Sequence, residues 1–222
     1  MIGNKSSIYN AQSVYNQGVG GGGGQLPEVP GIDFVEIDKK EYPFKIMPDG
    51  KKWTMYNLDL VWEGLPVGLP AASGEQRANY YNDEKDTYGW NGKRFGLLYN
   101  FQALVYLNTH RADLIPGWRV PTKSDWENLK TILGSDPGAQ LKAIDFPTNP
   151  GFYDLYGFAA TASGQRDFYG NFVNVGSYGI YGTVTNAGGN NWHDIWFDGS
   201  TGLGIGTDSG HIQNAVRLIQ DV

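Results

Sequence analysis

The sequence predicts an α+β domain in which helices come early and antiparallel strands come late. A complete helix signature lies between Thr122 and Gly134, and short aromatic, glycine-rich strand patterns follow Asp154. The composition is 14% aromatic with 32 Gly, but only 18% charged. This composition is typical of short strands, many turns and a core built on Trp and Tyr. Helical segments followed by a run of strands favour the α+β class.

The first 31 residues are predicted to be an N-terminal docking arm and tether, and residues 32–222 the folded domain. Residues 20–24 are five consecutive Gly, which form a flexible tether. The arm repeats an aliphatic-Tyr-Asn unit, at 8–10 and 14–16. One interpretation is a disordered tail. The other is a peptide that orders on other virion proteins through paired anchors, namely Ile8, Tyr9, Val14 and Tyr15.

The first half of the domain is predicted to contain two strands and a helical segment. Alternation at Phe34, Val35 and Ile37 predicts an entering strand, and a second strand follows at 53–58 after a turn at 48–50. Residues 62–79 are predicted to be a loop, and Tyr80 and Tyr81 a strand. The apolar segment 96–107 predicts either a buried helix or a strand-to-helix turn.

The strongest local prediction is a helix over 122–133. Thr122 has the residue type and position of an N-cap, and Asp125 lies three residues on, as in a capping box. Apolar residues follow at helical spacing, and Gly134 ends the helix. Further strands are predicted at 157–162, 171–175, 178–184, 191–197 and 214–219.

The composition limits the classes of function. A net charge of −6 argues against nucleic acid as the main partner. The absence of Cys excludes disulfides, thiolate catalysis and Cys-ligated zinc. His110, His193 and His211 lack metal-ligand spacing, so neither a metal nor a cofactor is predicted. The sequence contains no run of 18 apolar residues, so membrane insertion is not predicted. Because it also lacks a signal-peptide pattern, we expect the chain to fold in the cytoplasm.

Several separated motifs carry a resemblance to a known family. They are Trp53, Asn-Leu at 57–58, Gly-Leu-Leu-Tyr-Asn at 96–100, Pro-Gly-Trp-Arg-Val-Pro-Thr at 116–122, Gly-Phe-Ala at 157–159 and Ala-Val-Arg at 215–217. In this order they resemble the Fibrobacter succinogenes major paralogous domain family. The resemblance implies a C-type-lectin-like fold over 32–222, shared with formylglycine-generating enzymes. Members often carry Cys where this chain has Leu114 and Leu218, so an apolar contact is expected in place of a disulfide.

The resemblance also sets expectations about chemistry. The Glu-Pro-Asn, Gln-Pro-Asp and Trp-Asn-Asp motifs of calcium-dependent lectins are missing from the sequence, as are the Cys residues of the formylglycine-generating enzymes. We therefore predict a protein that is not an enzyme. In lectin-like proteins of this shape the C-terminal third displays the ligand-binding surface, which in some phages is the variable target of diversity-generating retroelements.

The segment 177–213 is the predicted binding surface, because it mixes aromatic and short polar side chains as adaptable binding surfaces do. If 191–197 is a strand, Trp192, Asp194 and Trp196 share one face, and an apolar pair on the other face favours exposure of the first. The alternative is that both Trp are core residues. The predicted ligand-binding residues are Tyr178, Tyr181, Asn186, Asn190, Asn191, Trp192, Asp194, Trp196, Asp198 and His211.

The arm, tether and domain predict a non-enzymatic recognition protein. The first hypothesis is a phage virion fibre or tail-tip receptor-binding protein, assembled in the host cytoplasm, that attaches to a bacterial surface glycan or protein. A homo-oligomer, taken as a trimer, would multiply weak contacts. The alternative is an exported bacterial surface adhesin or glycan-binding protein. A glycan-active enzyme is a third hypothesis, and it would need two paired carboxylates in a cleft.

Overall fold

The computed structural model describes residues 33–68, 74–80, 95–143, 146–147 and 153–222. Predictions about the arm, the tether and Tyr81 lie outside these residues. Residues 32–222 form one compact unit, and its described part is α+β with strands that pair almost entirely antiparallel. Among the described residues, every helix is too short or too polar to traverse a bilayer.

The first sheet joins the two ends of the domain. Its strand order is β1-β2-β3-β12, so the last strand pairs with the third. The hairpin between β1 and β2 turns through Asp38 and Lys39, whose φ angles are 48° and 62°, as a two-residue hairpin loop requires. The strands are β1 (Asp33–Ile37), β2 (Lys40–Ile46), β3 (Lys52–Thr54) and β12 (Ile219–Gln220).

Two further sheets occupy the rest of the domain. The five-stranded sheet has the order β4-β5-β11-β6-β7, and the three-stranded sheet has the order β10-β9-β8. The first contains β4 (Ala78–Asn79), β5 (Leu98–Asn100), β6 (Gln165–Arg166), β7 (Phe172–Val173) and β11 (Gln213–Asn214). The second contains β8 (Gly179–Gly188), β9 (Asn191–Phe197) and β10 (Gly204–Ser209).

The described part of the segment between β5 and β6 contains four helices, namely α1 (Phe101–Thr109), α2 (Arg111–Leu114), α3 (Lys123–Leu133) and α4 (Pro137–Leu141). The predicted capping box of α3 is confirmed. Asp125 N–H donates to Thr122 Oγ1 at 3.2 Å, and Thr122 N–H donates back to Asp125 Oδ2 at 2.8 Å. Gly134 ends the helix with a φ of 78°.

Aromatic side chains build the core in two clusters. In the first, Trp53 packs edge-on against Trp126 and Phe158, with centroid distances of 4.7 and 6.0 Å. The second contains Trp62, Tyr99 and Trp118. Leu218 is buried in this second cluster, and the partly buried Leu114 packs against the same cluster. The direct contact between them that was expected in place of a disulfide stays a prediction.

A buried cation links the end of β3 to two segments outside the strands. Arg217 is only 1% exposed, and its guanidinium donates to the carbonyl oxygens of Thr54, Phe158 and Ala159 at 3.0 Å each. Its Nε donates to Asn57 Oδ1 at 2.6 Å. Hydrogen bonds to several carbonyls compensate the loss of water around a buried charge.

Several element predictions need correction. The segment 157–162 contains no strand, only a bridge from Ala160 to Lys142. The strand predicted at 53–58 is limited to β3, and the one at 214–219 divides into β11 and β12. The sequence patterns predict none of β2, β4, β6 and β10, and β4 lies within the predicted loop at 62–79. By contrast, β9 has the predicted bounds, and 96–107 adopts the strand-to-helix alternative through β5 and α1.

Candidate functional site

An open groove along the outer side of α1 is the candidate site. Its volume is about 400 Å³. A concave surface with apolar walls and a few polar groups is the usual form of a binding site. None of its lining residues is Lys, Arg, Asp or Glu, and they come from the segment before β4 and from α1: Gly74, Gln76, Phe101, Gln102, Val105, Tyr106, Thr109 and His110.

The start of α1 is fixed by its N-cap. Asn100 Oδ1 accepts hydrogen bonds from Ala103 N–H at 3.0 Å and from Arg77 N–H at 2.9 Å. One amide oxygen therefore caps the helix and holds the segment before β4 against it. The helix buries one side in the core and leaves Val105 41% exposed in the groove. The buried side consists of Ala103, Leu104 and Leu107.

A ladder of stacked rings forms one wall of the groove. Tyr99 stacks on Trp62 at 6.1 Å and 3°, and Trp62 stacks on Tyr106 at 5.7 Å and 11°. Tyr106 in turn stacks on His110 at 3.9 Å. Trp62 Nε1 donates to Gln76 Oε1 at 3.1 Å, which fixes the indole. Since Trp62 is 6% exposed, the ladder runs from the core to the groove and its outer rings face the groove.

Trp192 is buried beneath the groove, which corrects the prediction that it is exposed. Its side chain has no exposure, and its ring lies 5.5 Å from that of Phe101. The indole fits because Gly182 carries no side chain: a Cβ there would lie 2.5 Å from Trp192 Cζ3 and 2.7 Å from Leu104 Cδ1. Trp192 cannot contact an external ligand in this arrangement, but it supports Phe101 from below.

Two of the predicted binding residues border the groove. Gln102 Nε2, from the groove lining, donates to Asn190 Oδ1 at 3.2 Å. Asn190 Nδ2 lies 3.1 Å from His211 Nε2. Asn190 is exposed, and its carbonyl accepts from Gly210 N–H at 2.6 Å. These three polar side chains form a rim next to the aromatic wall, and the amides in it can both donate and accept.

The turn between β8 and β9 places two other predicted residues. Asn186 is exposed and shapes the turn: its Oδ1 accepts from Gly188 N–H at 2.7 Å, and its Nδ2 donates to Gly189 O at 3.2 Å. Asn191 is exposed at the first position of β9. Both therefore lie at the same end of the hairpin as Asn190.

The other predicted residues do not join this surface. Tyr181 and Asp194 are buried, which corrects their assignment as ligand contacts, and Tyr181 Oη accepts from Thr161 N–H at 2.9 Å. Trp196 is half-buried, and its ring packs over the backbone of Gly204. Its ring centroid lies 6.3 Å from that of Tyr178, which is 36% exposed. Asp198 Oδ1 accepts from Ser200 N–H at 2.8 Å, so this carboxylate organises the loop after β9.

A pair of acidic side chains lies outside the groove lining. Burial raises the pKa of Asp194 to about 7, and the nearby charge of Asp208 acts in the same direction. Burial also raises the pKa of Asp208, although Asn214 opposes this rise. Within the described ranges, no three His, Cys, Asp or Glu side chains converge as a metal cluster.

Most of the groove is not predicted from the sequence. The pattern at 96–107 predicts a buried helix or a strand-to-helix turn, and neither alternative includes an outward side of α1. The signal was present, because Phe101, Val105 and Thr109 recur every four residues and so share a side of the helix. The contribution of Trp62 could not be predicted, since it depends on contacts between distant parts of the chain.

The chain belongs to the Fibrobacter succinogenes major domain family, whose family model matches residues 49–219. This match confirms the resemblance inferred from the separated motifs. No curated protein and no solved structure shows a significant match to the chain.

Proposed function

We propose that this chain is a non-enzymatic recognition protein that binds a bacterial surface ligand in the groove along α1. The observation that carries the proposal is the aromatic wall beside an amide rim. The outer ring face of His110, at the exposed end of the ladder, suits the apolar C–H face of a sugar, because the face of an aromatic ring is electron-rich. Gln76, Gln102 and Asn190 suit its hydroxyl groups, because amides donate and accept.

The same features favour a neutral glycan as the ligand. The lining residues carry no formal charge when His110 is neutral, so neither an anionic nor a cationic ligand has a counter-charge there. The proposed binding surface is therefore formed by α1 and the turn between β8 and β9, and not by the β9 indoles that the sequence predicted to be exposed.

The proposal includes a C-type-lectin-like fold for residues 32–222. Two features support it: the pairing of β12 with β3, which closes the domain near its two ends, and the order of early helices and a late antiparallel hairpin. We further propose that the domain is carried on a phage fibre or tail tip. The predicted arm and tether support that setting. An exported bacterial adhesin is the alternative, and phage structural genes or an export signal beside the gene would distinguish them.

A glycan array with two matched variants tests the proposal. Val105→Lys places a long charged side chain in the groove from a position that is already 41% exposed, so the core is left intact. Ile132→Lys makes the same change on α3, at a position that is 49% exposed and outside the groove lining. We expect the wild type and Ile132→Lys to bind the same neutral glycans, and Val105→Lys to lose at least about tenfold in affinity.

Two results would contradict the proposal. Equal binding by all three proteins would remove the groove as the site. Turnover of the bound glycan by the wild type would contradict the non-enzymatic assignment and would direct attention to the acidic pair.

A further inference from the structure

The strands β9 and β10 bring two carboxylates onto one face of the three-stranded sheet. In their register, Asp194 lies opposite Gly206, and Asp208 lies opposite Trp192. Side chains alternate along a strand, and directly opposed residues point to the same face. Asp194 and Asp208 are therefore diagonal neighbours on one face.

The carboxylate of Asp194 reaches across β10. A Cβ at Gly206 would lie 2.7 Å from Asp194 Oδ1 and 3.4 Å from its Cγ. The missing side chain of Gly206 thus leaves a cradle that the Asp194 carboxylate fills. Asp208 follows two residues later on the same strand and face, so the two carboxylates share one small region.

A buried amide from a different sheet joins them. Asn214 of β11 is fully buried, and it is the side chain that opposes the rise of the pKa of Asp208, so it lies beside that carboxylate. Both polar atoms of the Asn214 side chain, Oδ1 and Nδ2, lack a hydrogen-bond partner in the described part of the chain, as do Asp194 Oδ1 and the neighbouring Trp192 Nε1. Only 5% of the surface of Asp194 is exposed.

Buried oxygen atoms of this kind require a partner. No Lys or Arg of the described residues forms an ion pair with Asp194 or Asp208. Carboxylate and amide oxygens without nitrogen or sulfur ligands are the donor set of a hard cation. Calcium suits an irregular site best, because it accepts six to eight oxygen ligands in flexible geometry and completes its shell with water.

We propose that Asp194, Asp208 and Asn214 hold a divalent cation, specifically calcium, between the β9–β10 hairpin and β11. This site departs from the expectation that the chain binds no metal, and it does not use the calcium motifs that the sequence lacks. The cation links two sheets close to Trp192, which is directly opposite Asp208 and supports the groove. Calcium would therefore stiffen the floor of the groove.

The experiment measures calcium binding without any glycan, so its outcome is independent of the proposed function. Wild-type protein is freed of metal with EGTA, and its thermal unfolding is followed with Ca²⁺ or Mg²⁺ added. Terbium is then titrated as a calcium substitute, with luminescence excited through Trp192. We expect a saturable terbium signal that Ca²⁺ displaces, and a Tm that rises with Ca²⁺ concentration because the ligand binds only the folded state.

Three variants locate the site. Asp194→Asn and Asp208→Asn keep the shape of the side chain and remove one charge, and each is expected to lose at least tenfold in terbium affinity and the Ca²⁺-dependent rise in Tm. Asp113→Asn, at an exposed position on α2, should behave as the wild type. If Asp194→Asn or Asp208→Asn fails to fold, Asn214→Ala replaces it with the same expected loss.

The proposal fails if Ca²⁺ leaves the Tm of the wild type unchanged and terbium gives no saturable signal. It fails equally if Asp113→Asn loses as much affinity as Asp194→Asn and Asp208→Asn, because binding would then be a general property of surface carboxylates. A response to Mg²⁺ without a response to Ca²⁺ would overturn the choice of calcium.

Discussion

At the scale of single residues, Asp125 shows how one carboxylate joins a helix to its surroundings. Arg119 donates to it through both terminal nitrogens, at 2.7 and 2.9 Å, and Lys51 Nζ lies 2.6 Å away. Thr122 donates to it through both its N–H and its hydroxyl. The Asp125 side chain thus has two roles, as a helix-capping residue and as an ion-pair partner. The sequence pattern predicts only the first.

This carboxylate makes stability depend on pH. Burial alone would raise its pKa, but the hydrogen bonds from Arg119, Lys51 and Thr122 outweigh burial and hold the pKa well below the usual range. The folded state therefore favours the charged form more than the unfolded chain does. The resulting stabilisation is present above the unfolded pKa of about 3.9, and it is lost as the pH falls further.

We expect Asp125→Asn to be less stable than the wild type by roughly 2 kcal/mol at pH 7, because charge-assisted hydrogen bonds are lost. The difference should shrink steadily as the pH falls from 4 towards 2. Urea unfolding at a series of pH values measures it, and Asp113→Asn provides the exposed control. A difference that stays constant over this range would show that the ionised form contributes nothing.

At the scale of elements, local chemistry could be predicted and long-range burial could not. The bounds of α3 followed from a cap, a spacing and a glycine, all within 13 consecutive residues. Which face of β9 is buried could not be predicted in this way, because an alternating pattern identifies the buried face only when the other face is exposed. Trp192 and Asp194 on one face are buried, as are Ile195 and Phe197 of the strand. A strand covered on both sides contains no signal that distinguishes its faces.

The strand β10 was missed for a related reason. Its sequence, Gly-Ile-Gly-Thr-Asp-Ser, has a single apolar residue and two Gly. Those glycines are required by the neighbouring strand: a Cβ at Gly204 would overlap the ring of Trp196, and one at Gly206 would crowd Asp194. The glycines of β10 are therefore determined by the side chains of the neighbouring strand β9, and a pattern along the sequence of β10 alone does not contain that information.

The packing of Trp192 on Gly182 gives a prediction at this scale. Gly182→Ala should destabilise the domain by about 1–3 kcal/mol, as overpacking does, and should shift the tryptophan fluorescence and weaken ligand binding in the groove. Gly202→Ala is the control, since the nearest atom to its added Cβ is 3.5 Å away. Urea unfolding and fluorescence test this, and equal behaviour of the two variants would contradict the tight contact at Gly182.

At the scale of the whole molecule, the predicted arm and tether suit a protein in which several copies of the domain 32–222 are held together. A single open groove gives weak binding, and linked copies raise the apparent affinity by mass action. We predict that the full chain is a trimer. Light scattering coupled to size-exclusion chromatography measures its mass directly, and a monomer at all concentrations would remove the oligomer from the proposal while leaving the groove unaffected.

The central claim is that the groove along α1, not the indole face of β9, contacts the ligand. The most direct measurement is a two-dimensional ¹H–¹⁵N NMR titration of the domain with a glycan that the array selects. If the groove binds the glycan, shift changes will concentrate at Gln76, along 101–110 and in the turn at 188–190. Changes that instead concentrate at Tyr178 and Trp196, with α1 unaffected, would contradict it.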